Sequence, residues 1–125
     1  MKKFLTFAAL IEVATGIIVL MDPPLVTQLL LNQTVAGAGV VMSRLAAITL
    51  IALGAACWPD AELRRGFVGM LTYSTLVMLL LLVAGVRGMA GIVLWPAVAF
   101  HAVESALLVW LRSKQERAPA AEVNG

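Results

Sequence analysis

Five residues of this 125-residue chain carry side chains able to move a proton or hold an ion while lying within otherwise apolar sequence: Glu12, Arg44, Tyr73, His101 and Glu104. Carboxyl and imidazole groups exchange protons, a guanidinium holds a carboxylate, and a phenol can reach across a helix to donate a hydrogen bond. Other chemistries lack their parts. There is no Ser-His-acid spacing, no pair of histidines on one helix for zinc and no glycine-rich phosphate loop. Gly37-Ala38-Gly39 lies in an apolar span, where close helix packing explains it. A single histidine does not give bis-histidine haem ligation within one chain. Cys57 is the only cysteine, which excludes an internal disulfide and a thiolate cluster, and it reads as a small apolar filler at a helix end. No catalytic residue, metal or cofactor is therefore expected, and the chain is not expected to be an enzyme.

The surroundings of those five residues decide what they can do. Hydrophobic residues make up 62% of the chain and charged ones 13%, which places most of its surface in lipid. A spanning helix needs about 20 apolar residues, so four spans and short connections use nearly the whole length. The fold class expected is all-α: an integral membrane four-helix bundle over residues 1–112, with a disordered tail over 113–125. TM1 is expected at 4–21, TM2 at 34–57, TM3 at 67–86 and TM4 at 92–111.

Lys2 and Lys3 before the run Phe4 to Met21 have the look of a signal peptide, but the run ends in Met21-Asp22-Pro23-Pro24 without a small-x-small cleavage pattern, so it reads as a retained helix. Asp22 before Pro23 is a helix start, and a short helix, Pro24 to Leu31, is expected to lie at the interface. Asn32-Gln33-Thr34 fits the glycosylation pattern yet reads as an ordinary polar turn. Trp58-Pro59-Asp60 ends TM2 and offers a new cap, and the leucines at 79–82 are expected to face lipid. Pro96 either kinks TM4 or marks its first turn.

Lys2, Lys3, Arg64, Arg65, Arg112, Lys114 and Arg117 fall on one side of this layout and Arg87 alone on the other, so both termini are expected in the cytoplasm. Trp58, Trp95 and Trp110 stand at span ends, as suits the headgroup region. The overall look is that of a bacterial inner-membrane protein. A net charge of +2 from dispersed basic residues gives no footprint for nucleic acid.

A charge at the centre of a spanning helix costs about 2.5–3.5 kcal/mol, so the ionisable residues are expected to face one another or a wet cavity. Counted at about 1.5 Å per residue from the cytoplasmic span ends, Glu12 lies about 13 Å deep, Glu104 about 12 Å, His101 about 16 Å and Arg44 about 20 Å. These depths share one slab that long side chains can bridge. By helical phase, Glu12 shares a face with Ala8, Thr15 and Gly16; Arg44 with Gly37, Ala47 and Ala55; His101 and Glu104 with Ala97, Ser105 and Leu108. TM3 offers Thr72, Tyr73, Ser74 and Thr75, of which Tyr73 has the reach to join. Two carboxylates and one guanidinium sum to minus one, so one proton is expected in the cluster, shared between His101 and the glutamates.

One local run and the overall layout of the chain resemble known families. The run Ala8-Ala9-Leu10-Ile11-Glu12-Val13 is similar to the first helix of small multidrug resistance transporters, which implies a role for Glu12 as a carboxylate that binds protons and cationic drugs. The capped exit of TM1, the step Ser43-Arg44-Leu45-Ala46 and the start of TM4 at Leu94-Trp95-Pro96-Ala97 resemble DoxX-like bacterial four-helix proteins. That likeness implies a small inner-membrane accessory to a redox or stress pathway and identifies no catalytic residue.

Two functions are thus expected to compete. In the first, the chain is a non-enzymatic auxiliary or interaction subunit whose Glu12–Arg44 and His101–Glu104 contacts are structural. In the second, it is a proton-coupled transporter or small-ligand-binding bundle, homodimeric because four short helices enclose little volume. Partners are accordingly the bilayer and either a second copy or another membrane protein.

Overall fold

The computed structural model describes residues 1–58 and 63–123. Its elements are all helical: α1 (Lys2–Met21), α2 (Pro23–Leu31), α3 (Ala38–Ala56), α4 (Leu63–Val86) and α5 (Leu94–Val123). Four of them, α1, α3, α4 and α5, are long and apolar enough to cross a membrane. Four crossings return the chain to the side from which it started. Much of the outer surface is large and apolar, including Phe7, Ile18, Met42, Leu76 and Leu80, as lipid-facing residues are.

α1 and α3 form one closely packed pair and α4 and α5 the other. Gly16 and Gly54 let the first pair approach. A Cβ on Gly54 would stand 2.7 Å from the carbonyl oxygen of Ala9 and 2.6 Å from Cγ2 of Val13, and one on Gly16 would stand 2.8 Å from the carbonyl oxygen of Ala47. Small residues at such positions bring backbones together where lipid supplies no hydrophobic drive for association. Leu5, Ala8 and Ala9 from α1 join Cys57, Phe67, Met70 and Leu108 in a common apolar core, so Cys57 fills space as expected.

The short helix has the expected start. Asp22 caps α2 by accepting from the backbone N–H of Leu25 at 3.1 Å, and Pro23 occupies the first position. Asn32 ends it in the left-handed conformation, φ 52°, and its side chain accepts from Gln28 Nε2 at 3.0 Å, which makes the Asn32-Gln33-Thr34 step a helix stop. At its C-terminus α2 meets the α4–α5 connection: Gly91 N–H donates to the Leu30 carbonyl at 3.0 Å and Val93 N–H to that of Leu29 at 2.9 Å. Two carbonyls that the end of a helix leaves unpaired are thereby satisfied across 61 and 64 residues of chain (91 − 30 and 93 − 29). Gly88, φ +85°, reverses the chain after α4 and lets Met89 N–H reach back to the Ala84 carbonyl.

Several boundaries differ from the expected ones. α3 begins at Ala38, not at 34, because Asn32 closes α2 and residues 33–36 take no regular structure before Gly37. α4 begins at Leu63, taking Arg64 and Arg65 into its first turns. α5 begins at Leu94, which puts Pro96 in the first turn, where its missing N–H breaks no helical bond. The segment expected to be disordered after residue 112 is helical to Val123. Ala, Glu, Lys, Arg and Gln dominate it, and extending an existing helix needs no new nucleus. Of the leucines at 79–82, three are exposed, while Leu81 is buried. The expected cap at Pro59 and Asp60 lies outside the described residues.

Candidate functional site

α1, α4 and α5 together place four of the five expected residues around one point. On α5, Leu94, Ala97, His101, Glu104 and Leu108 recur at three- and four-residue spacing and form its inward stripe. On α1 the buried set is Leu5, Ala8, Ala9, Glu12 and Gly16, so Glu12 sits amid the small residues that draw α1 inward. Thr15, expected on the same face, is exposed.

Glu12 and Glu104 are each 2% exposed and His101 is 9% exposed. One donor atom from each of the three lies within 4.8 Å of the other two. His101 Nδ1 stands 3.3 Å from Oε2 of Glu104, and Ser74 Oγ donates to that same oxygen at 2.5 Å. Tyr73, one residue earlier on α4, interacts through its hydroxyl with the Glu12 carboxyl group. The imidazole is held edgewise between two rings, with centroid distances of 5.9 Å to Tyr73 and 5.4 Å to Phe100. Farther along the α4–α5 seam, Thr75 and Ser105 approach to 3.5 Å.

The second carboxylate oxygen of Glu104 is different. Oε1 is buried and has no hydrogen-bond partner among the described residues. A cavity of about 150 Å³ runs between Phe4 and Phe7 of α1 and Phe100, Val103 and Leu107 of α5, with Glu104 also in its lining.

Arg44 is not part of this centre. Its side chain is exposed on α3, and among the described residues it makes no ion pair or hydrogen bond. The expected Glu12–Arg44 contact is therefore absent. The reason is helical phase: α3 turns Ser43, Ala47, Leu50, Ile51 and Gly54 toward α1, and Arg44, about 100° round from Ser43, faces outward with Val41, Leu45 and Ile48. Gly37 and Ala55, expected on the packing face, are also exposed. The centre thus contains two carboxylates and one imidazole, and no lysine or arginine compensates them among the described residues.

Ser74 belongs in the site although Tyr73 alone was expected to join it. Four consecutive polar residues, 72–75, show that α4 has a polar stretch without showing which one turns inward. The orphaned Oε1 of Glu104 carries no sequence signal at all. Compared with known proteins, the chain matches no family model, no curated protein and no solved structure.

Proposed function

We propose that this chain is a non-enzymatic membrane subunit that docks another membrane protein against the outer face of α3, with Arg44 as the polar contact. One observation carries the reading: an arginine on the exposed face of a spanning helix that makes no ion pair or hydrogen bond among the described residues. It lies six residues inside the start of α3 at Ala38, or about 9 Å along the axis. A guanidinium at that depth is stabilised when an acceptor on a neighbouring helix takes its hydrogen bonds. α3 is also the least covered of the four spanning helices, with a smaller share of its apolar stretch buried than in any of the other three.

Charge complementarity argues for a different protein over a second copy. The only carboxylates within this chain's spans are Glu12 and Glu104, and both are buried in their own bundle. A second copy would bring another Arg44 and no intramembrane acid to meet it. An accessory role of this kind agrees with what the DoxX-like resemblance implies. We place both termini in the cytoplasm of a bacterial cell, with the chain in the inner membrane, on the weight of Lys2, Lys3, Arg64, Arg65 and Arg112 against Arg87.

The test is site-specific photo-crosslinking in native membranes from Val41, Leu45 and Ile48, with Leu80 on α4 as the control. One discrete adduct to one other membrane protein is expected from the three α3 positions, none from Leu80, and a loss of at least tenfold in yield with Arg44→Leu. Adducts to lipid alone, or to a second copy of this chain, would overturn the reading.

A further inference from the structure

We propose that Glu12, His101 and Glu104 form a binding site for a divalent first-row transition-metal ion. The inference is independent of what α3 docks. Three donors of suitable type, two carboxylates and an imidazole, converge from α1 and α5 with their ligating atoms within 4.8 Å of one another. Ligands at about 2.0–2.2 Å from a metal stand slightly over 3 Å apart, so a small rotation of each side chain closes the set.

Charge supports an ion of valence two. Two buried carboxylates with no arginine or lysine beside them among the described residues are costly in a low-dielectric interior. A divalent cation makes the group electroneutral. Independently of that arithmetic, Oε1 of Glu104 is a buried acceptor with nothing bound to it, whereas Oε2 already takes Ser74 and His101. Buried oxygens rarely stay unpaired, and a cation is a partner that this one can accept.

The supporting shell is also present. Ser74 donates to Glu104 at 2.5 Å and Tyr73 engages Glu12, so both carboxylates are oriented by hydroxyl groups from α4. Such outer contacts hold ligands in place and tune their affinity. The donor set selects the ion. An imidazole nitrogen with carboxylate oxygens suits Zn²⁺, Fe²⁺ or Mn²⁺, the absence of a thiolate disfavours Cu⁺, and three protein ligands are too few for the oxygen cage of Ca²⁺. Three ligands also leave a coordination position open to water or to a small molecule. The sequence gives little sign of such a site because Glu12 lies about 90 residues from its partners and the pair on α5 is a histidine and a glutamate three apart, a common helical spacing.

The experiment uses the full-length chain in lipid nanodiscs, stripped with a chelator and then titrated with Zn²⁺ and, as a spectroscopic probe, Co²⁺. One equivalent of Zn²⁺ per chain is expected to survive dialysis, and Co²⁺ is expected to develop ligand-field bands in the visible that Zn²⁺ abolishes. Glu12→Gln and His101→Gln should each weaken Zn²⁺ binding at least a hundredfold, Ser74→Ala about tenfold, and Arg44→Leu not at all. Ser74→Ala keeps all three ligands, so it remains informative if a ligand variant fails to fold. Wild-type protein that binds no Zn²⁺ after stripping, or a folded Ser74→Ala variant that binds it as tightly as wild type with unchanged Co²⁺ bands, overturns the proposal.

Discussion

The two helix pairs close by different means. Between α1 and α3 the seam is steric: Gly54 stands against the Ala9 carbonyl and Gly16 against that of Ala47, with no room for a β-carbon at either. Between α4 and α5 the seam is polar, with Ser74 bonded to Glu104 and Thr75 near Ser105. In hydrocarbon a leucine touching a helix gains little over a leucine touching lipid, so each seam needs another source of affinity. Close backbone approach gives one pair many small dispersion contacts. Pairing of groups that would otherwise be unsatisfied gives the other a few directed ones. A steric seam fails abruptly when atoms are added, and a polar seam weakens gradually as partners are removed.

That contrast sets an order of mutational effects, read by denaturant unfolding in detergent and followed by helix content. Gly54→Val should have the largest, about 3 kcal/mol of destabilisation, because both new methyl groups enter space filled by α1. Ser74→Ala should cost about 1 kcal/mol, since it removes one buried hydrogen bond from a carboxylate. Thr75→Val should cost less than about 0.5 kcal/mol, its contact with Ser105 being at the outer limit of a hydrogen bond. A Gly54→Val variant as stable as Thr75→Val would remove the steric account of the α1–α3 seam.

The spans were legible because length and hydropathy are summed over many residues, and the Asp22-Pro23 start of α2 because its capping chemistry is local. The shared depth of Glu12, His101 and Glu104 was legible too, since position along a helix follows from counting. Rotation about the helix was not. α3 is apolar on every side, with Val41, Leu45 and Ile48 exposed and Leu50 and Ile51 partly covered, so polarity does not reveal which face turns inward. Ala47 stands three residues from Arg44 and four from Ser43, so its small size does not decide which of the two turns inward. Gly91 illustrates a further limit. A Cβ there would run into the Leu29 carbonyl, a constraint set by a segment more than 60 residues away, while its own neighbours show only a turn.

The backbone bonds from Gly91 and Val93 to the end of α2 tie the helix pairs together at one membrane face, and the apolar core around Leu5, Met70 and Leu108 joins them toward the other. The aromatic cavity flanked by Phe4 and Leu107 lies toward the opposite face. A lipid tail occupying that cavity would lie along the cleft between α1 and α5 against the side chain of Glu104, at the end of the bundle away from the Gly91 and Val93 bonds.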